Sequence, residues 1–262
     1  MQTVVVLTGA GISAESGLST FRGPDGLWEG HRVVDVATLQ AFDTDPVTVH
    51  RFYNRLRRRL RDDDVAPNAA HCALARLERA LGRGFHLVTQ NIDDLHQRAG
   101  NTQITAMHGE LTKIRNVDTG DVLPWGGDVI ETDRQWRPHV VWFGERTIGL
   151  ESVVEMLSTA SLFVANGTSG SVHPASQFAA IAKTAGATTV AINIDPSAVE
   201  FDYRVIGAAS ERVPELVDQL IDGLVAGRAP VEAGSGGWSR CSWSTGAGSK
   251  DITGWICPLR PR

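Results

Sequence analysis

Hydrophobic and polar positions divide the chain into short β-branched runs and longer stretches with helical spacing. Residues 3–7 and 85–88 are compact apolar runs of the kind buried in a parallel sheet. Residues 158–165 lead into a third such strand, and 188–194 form a fourth, rich in β-branched side chains. Helical segments lie between them. Residues 46–60 are one; in 68–81, Ala70, Leu74, Leu77 and Leu81 recur at helical spacing and Gly82 supplies the stop. Residues 174–185 end at Gly186, and 213–225 place Pro214 in a first turn, where proline is tolerated. Strands alternating with helices predict an α/β fold, a Rossmann-like doubly wound parallel sheet.

Two segments break the alternation. Residues 29–64 and 110–137 are expected to build a smaller lobe beside the sheet, within one domain spanning 1–227. Residues 228–262 turn to Gly, Ser, Trp and Arg without periodicity and are expected to be a disordered tail. A chain of 262 residues, 42% hydrophobic, suffices for one large core and a small lobe. The net charge of −5 gives no sign of nucleic-acid binding. The basic run 55–61 is followed at once by Asp62, Asp63 and Asp64, and reads as a solvated helix face. No stretch approaches the roughly 18 apolar residues of a membrane span. A strand that starts at residue 3 leaves no room for a targeting peptide, and three scattered cysteines suit a reducing compartment, so a cytoplasmic protein is expected.

The chemistry concentrates after the first strand. Gly9 and Gly11 permit a sharp turn and close backbone approach, and residues 13–18 are expected to start a helix facing a pyrophosphate. The same stretch carries Ser16-Gly17, Phe21-Arg22 and Asp25-Gly-Leu-Trp28. Downstream come Thr89-Gln-Asn-Ile-Asp93, His108-Gly-Glu-Leu111, Arg137-Pro-His-Val-Val-Trp-Phe-Gly-Glu145, Gly167-Thr-Ser169 and Asn193-Ile-Asp195. In this order and spacing, over roughly residues 3–226, the chain resembles the sirtuins, NAD-dependent protein deacylases. The likeness is greatest to the bacterial branch that also contains desuccinylases and demalonylases.

The resemblance implies a reaction in which an acyl-lysine oxygen attacks the nicotinamide ribose of NAD, nicotinamide leaves, and a histidine serves a ribose hydroxyl as base. The products would be nicotinamide and an O-acyl-ADP-ribose. His108 matches that histidine, and an imidazole titrates in the right range for the task. For the cofactor it implies Gly9, Ala10, Gly11, Ser13, Phe21, Arg22, Trp28, Gln90, Asn91, Ile92, Asp93, Gly167, Thr168, Ser169, Asn193, Ile194, Asp195 and Ala209. Read locally, Asn91-Ile-Asp93 is also a helix cap, and the two readings are compatible. For the acyl-lysine protein substrate it implies Tyr53, Leu56, Arg57, Val141, Phe143 and Gly144, with residues 140–144 an extended edge for the substrate backbone.

Three departures matter. Sirtuins usually hold a structural zinc on four cysteines between the His-Gly and Pro-His-Val motifs, but residues 111–137 contain none. No zinc is therefore expected, and Trp125 and Trp136 are the expected anchors of the lobe. Asn166 and His173 replace an apolar residue and a tyrosine beside the cofactor motifs. The carboxylate-reading Tyr-x-x-Arg pair of desuccinylases is also shifted, since Leu56 stands three residues after Tyr53 and Arg57 stands four after it. A one-residue step turns a helical side chain by about 100°, yet Arg57 would still share a face with Tyr53. The acyl preference is thus open between acetyl and succinyl or malonyl. A non-catalytic NAD- or ADP-ribose-binding module is the alternative reading; a dehydrogenase fits the Gln90–Asp93 and His108 motifs poorly. The oligomeric state is not legible, with a monomer as the default expectation.

Overall fold

A computed structural model describes residues 3–20, 27–195, 199–225 and 239–240. The chain opens with β1 (Val4–Thr8), then a small hairpin of β2 (Leu27–Trp28) and β3 (His31–Arg32). Helices α1 (Val33–Val36), α2 (Leu39–Thr44), α3 (Pro46–Leu60) and α4 (Ala69–Leu81) follow. Next are β4 (Phe85–Thr89), α5 (Leu95–Ala99), β5 (Ile104–Ala106), β6 (Gly109–Asn116), β7 (Val122–Pro124) and β8 (Trp136–Val140). The remainder is α6 (Leu150–Ser158), β9 (Leu162–Asn166), α7 (Phe178–Thr184), β10 (Thr188–Asn193), β11 (Tyr203–Ile206), α8 (Ala209–Val225) and β12 (Ser239–Arg240).

The main sheet runs β12-β11-β10-β9-β1-β4-β5, parallel except for β12, which pairs antiparallel with β11. Side chains alternate across it. Val4 and Val6 join a core with α4 and α8, while Val5 and Leu7 join a second core with α6 and α7 on the opposite face. Burial on both faces explains why β1 is apolar without interruption. Apart from β12, the tail lies outside the described residues.

Helix boundaries follow from caps. The Asp45 carboxylate accepts the Thr48 N–H at 3.1 Å, and Pro46 occupies the first turn. Asn68 caps α4 and exchanges bonds with His71. Two expectations fail. Helix α8 starts at Ala209, so Pro214 sits inside it; Glu15 anchors the early start, accepting from Ser210 N–H at 3.0 Å and its hydroxyl at 2.5 Å. The segment 174–185 begins as a 3-10 turn, Ala175–Gln177, and becomes α-helical only at Phe178.

A second, three-stranded antiparallel sheet, β7-β6-β8, stands beside the first. It packs with α1 to α3 around Val36, Phe42, Phe52, Tyr53, Leu111 and Trp142. Trp142 is its largest fully buried side chain, whereas Trp125 is 40% exposed and Trp136 half-buried, so neither expected tryptophan is the anchor. Residues 128–133 are tied to α3 by side chains. The Asn54 amide donates to Val129 C=O at 2.8 Å and accepts its N–H at 2.9 Å, and a His50 ring nitrogen meets Asp133 C=O at 2.8 Å.

Under β1 and β4 lie two buried histidines with ring centroids 4.8 Å apart, His71 and His96. Burial lowers the His71 pKa to about 4 and, with His71 nearby, that of His96 to about 3. Both are neutral when folded and would charge near 6.5 when unfolded. Their contribution to stability is therefore complete above about pH 6.5 and lost as pH falls towards 4 and 3. The melting temperature is expected to drop by at least about 5 °C between pH 7 and pH 5. A flat thermal-unfolding profile over that window would contradict it.

Candidate functional site

The carboxyl ends of β1, β4, β9 and β10 converge, and the loops that leave them bond to one another. The Gly9 N–H donates to Asn166 C=O at 3.0 Å and the Gly11 N–H to Gly167 C=O at 2.9 Å. A Cβ on Gly11 would lie 2.6 Å from Gly167 Cα. Glycine is required here because two backbones touch, a constraint beyond the ligand approach read from sequence. Residues 13–18 do not form the expected helix. The stretch after Gly9 instead makes two 3-10 turns, Ala10–Ile12 and Ala14–Ser16, joined at Ser13 and closed by Gly17 at φ +81°. The cause is non-local: the Asn68 amide donates to Ile12 C=O at 2.7 Å, an acceptor that a continuing helix would need.

The second loop interlocks with the first. The Asn91 amide donates to Gly9 C=O and to Ser13 Oγ, both at 3.1 Å. The Ser13 hydroxyl donates to Asp93 Oδ2 at 2.9 Å, and Asp93 Oδ1 accepts the Leu95 N–H at 3.1 Å at the start of α5. Asp93, one position before the N-cap Asp94, thus closes the turn into α5 and anchors the loop as well, and burial raises its carboxyl pKa. Asn91 takes no part in the cap; its amide braces the first loop. Gln90 Nε2 donates to Thr168 Oγ1 at 3.2 Å, and Asn193 Nδ2 to Thr168 C=O at 3.0 Å. Ser169 shares a hydrogen bond with Ser171, Ala209 is buried at the start of α8, and Ile194 and Asp195 are exposed. Ile92 and Trp28 pack against the lobe core. Phe21 and Arg22 lie outside the described residues.

His108 stands among these loops. Its Nδ1 is 2.9 Å from Gln90 C=O. A carbonyl only accepts, so Nδ1 carries the proton and Nε2 keeps its lone pair. Burial lowers the His108 pKa, with the Gln90 bond opposing, so the ring is neutral near pH 7. The His108 C=O in turn accepts the Val141 N–H at 2.9 Å, which sets the segment after β8 in register with the histidine.

That segment differs from expectation. Strand β8 ends at Val140, and Phe143 is joined to Thr38 by an isolated parallel bridge, its N–H donating to Ala37 C=O at 3.0 Å. Gly144 sits at φ +90°, which turns the chain away from a continuous edge. Tyr53 and Arg57 direct their hydrogen bonds to different partners. Tyr53 Oη accepts from Trp142 Nε1 at 2.8 Å. Arg57 Nε donates to Leu111 C=O at 2.9 Å and Nη1 to Asn54 Oδ1 at 3.0 Å, and its burial lowers its pKa to about 10. Two of its nitrogens are thus taken within the lobe, and Nη2 is buried without a hydrogen-bond partner among the described residues. Leu56 is half-buried against the same lobe core as Ile92 and Trp28.

The residues that sequence reading missed are Thr8 and Thr89, whose buried hydroxyls bond at 2.9 Å beneath Asn91, and Asn68. A helix-capping signal marks Asn68, but nothing local announces its reach to Ile12. Asn166, flagged as a departure, is buried at the end of β9 with Oδ1 unpartnered. Among the described residues no group of three or more His, Cys, Asp or Glu could hold a metal ion, and none of the helices there is long and apolar enough to cross a membrane.

A sequence profile of the Sir2 family matches residues 9–174. The NAD-dependent protein deacylase of Escherichia coli K12 is 55% identical over 234 residues, covering 86% of this chain and 84% of that one. The protein of the same name from Yersinia pestis is 50% identical over 228 residues, covering 83% and 82%. Among solved structures, a Sir2 homologue in complex with NAD superposes with TM-score 0.76 at 35% identity, over 85% of this chain and 90% of that one. Sir2Af2 bound to a myristoylated histone peptide gives 0.67 at 30% identity, over 86% and 93%.

Proposed function

The chain belongs to the Sir2 family, and from that premise we propose that it removes acyl groups from protein lysines with NAD, releasing nicotinamide and an O-acyl-ADP-ribose. The observation that carries the reading is His108, whose Nδ1–H is committed to Gln90 C=O in the loop after β4, leaving Nε2 as the basic nitrogen. A purely binding relative would have no use for that arrangement.

NAD fits the residues present, since the carboxyl ends of β1, β4, β9 and β10 bring together Ser13, Gln90, Asn91, Asp93, Thr168 and Asn193, whose hydroxyl, amide and carboxylate groups suit ribose hydroxyls and a carboxamide. Gly9, Ala10, Gly11, Ser13, Trp28, Gln90–Asp93, Gly167–Ser169, Asn193–Asp195 and Ala209 would hold it, with Phe21 and Arg22. Bound NAD supplies the ribose carbon that accepts the acyl oxygen. Asn91, Ser13 and Asp93 keep the two loops at fixed spacing, and His108 Nε2 takes a proton from a ribose hydroxyl. Val141, Phe143 and Gly144 receive the acyl-lysine backbone. Acyl-lysine proteins are the partners, in the cytoplasm, with neither nucleic acid nor membrane involved and the chain acting as a monomer.

The family's structural zinc does not fit, because residues 111–137 offer no thiolate and α3 side chains hold residues 128–133 instead. Elemental analysis of tag-free protein is expected to find well under one zinc per chain, and a stoichiometric metal would refute this.

Among acyl groups we propose that neutral ones are favoured. Arg57 Nε and Nη1 are taken by Leu111 C=O and Asn54 Oδ1, and Leu56 offers apolar surface against the lobe core that Ile92 and Trp28 also pack on. Mass spectrometry with acetyl-, succinyl- and malonyl-lysine peptides plus NAD tests the activity and the preference together. Acetyl should be removed fastest; absence of NAD-dependent turnover on all three would overturn the reading. Leu56→Arg is expected to raise desuccinylation relative to deacetylation by about tenfold, the scale of one charge-assisted contact. An unchanged ratio would mean that position 56 does not face the acyl group.

A further inference from the structure

The turn after β8 is shaped by one carboxylate. The Glu145 side chain accepts from Trp142 N–H at 2.8 Å, from Arg137 Nη2 at 2.6 Å and from Arg115 Nη2 at 3.4 Å. Its own N–H donates back to Trp142 C=O at 3.0 Å. Residues 142–145 are therefore closed twice, once through the main chain and once through the side chain. Within this turn Gly144 takes φ +90° and Phe143 is left 43% exposed.

The clamp is embedded on its inner side. The Arg137 side chain is 4% exposed, and its guanidinium lies 4.1 Å from the Trp142 ring centroid. Trp142 is buried and donates from Nε1 to Tyr53 Oη. One residue before the turn, Val141 N–H bonds to His108 C=O. A shift of the turn would thus change where Phe143 and Gly144 stand relative to the histidine. Glu145 is 17% exposed at its side chain, and two guanidinium groups already meet its charge. It is consequently a poor reader of basic residues in a substrate.

We infer that Glu145, held by Arg137, is a positioning residue for the acyl-lysine substrate: it fixes the turn that presents Phe143 and Gly144 in register with His108. The inference rests on the proposed reading that residues 141–144 receive the substrate backbone. It predicts a defect on the peptide side alone, because among the described residues the clamp's hydrogen bonds run to Trp142, Arg137 and Arg115 and not to the loops assigned to NAD. A residue that only stabilised the lobe would lower the melting temperature and leave peptide KM alone.

The test is steady-state deacetylation by the full chain, with acetyl-lysine peptide and NAD varied separately, and NAD affinity measured by calorimetry. Glu145→Ala is expected to raise peptide KM at least about tenfold, with kcat within about threefold and NAD Kd within about twofold. Glu145→Gln keeps an acceptor for the Trp142 N–H and is expected to restore KM to within about threefold of the parent. An unchanged peptide KM in Glu145→Ala, or a parallel loss of NAD affinity, would overturn the inference. Should Glu145→Ala fail to fold, Arg137→Lys, which weakens the same clamp, must raise peptide KM by at least about threefold, and no rise overturns the inference equally. A parent protein without NAD-dependent turnover overturns the proposed function and this inference together, whereas an active parent with an indifferent Glu145 overturns the inference alone.

Discussion

His108→Ala is expected to lower deacylation by about 10²- to 10⁴-fold, the range for loss of a general base. The geometry gives the reason for a base role. Gln90 C=O fixes the proton on Nδ1, and burial keeps the ring neutral, so Nε2 is ready to accept a proton at neutral pH. NAD should still bind, because the bonds of Asn91, Ser13 and Asp93 that join the first two loops do not involve His108, whose one side-chain bond to them ends at Gln90 C=O. Release and recapture of labelled nicotinamide in the presence of acyl peptide should also persist, since that step precedes proton transfer from the ribose. Turnover within a few-fold of the parent would make His108 structural. The same ring predicts an acid limb: activity should fall once pH drops below the His108 pKa, which lies under the ordinary 6.5. The limb should vanish in the variant's residual rate.

Legibility in the sequence tracked locality. Helix α3 was readable to the residue because its signals are adjacent, an Asp45 cap and Pro46 in the first turn. Strand β1 was readable because burial on both faces leaves an unbroken apolar run. The turns after Gly9 were misread as a helix, since the group that redirects them, the Asn68 amide, lies 56 positions from the Ile12 carbonyl it takes. Helix α8 was begun four residues late for a similar reason: Glu15 anchors its first turn from the other end of the chain. The lobe shows the limit most plainly. A helical wheel places Tyr53 and Arg57 on one face, and both are indeed buried, but it cannot say that their partners are Trp142 and Leu111. The sequence motifs located the candidate site, and only the fold distinguishes side chains that brace the loops from side chains left free for a ligand.

Asn91→Ala is expected to fail where His108→Ala survives. Asn91 is the crosspiece between the first two loops, donating to Gly9 C=O and Ser13 Oγ while its N–H rests on Thr89 Oγ1 at 3.1 Å. Removing the amide takes one of two donors from the buried Gly9 carbonyl, which keeps the Ile12 N–H at 3.1 Å, and releases Ser13, which otherwise holds Asp93 Oδ2. Losing the two buried amide bonds, to Gly9 C=O and Ser13 Oγ, costs about 1–3 kcal/mol, equivalent to about 5- to 150-fold in NAD affinity if the loops must be reordered on binding. Calorimetry should report that loss, and nicotinamide exchange should fall with it, below the rate retained by His108→Ala. Ser13→Ala should show a milder form, because it breaks the link to Asp93 but leaves the Asn91–Gly9 bond. Exchange at the parental rate in Asn91→Ala would refute the assignment, since the amide would then do no more than tie one loop to another. The two variants together separate the chemistry: one side chain holds the cofactor's pocket in shape, and the other moves the proton.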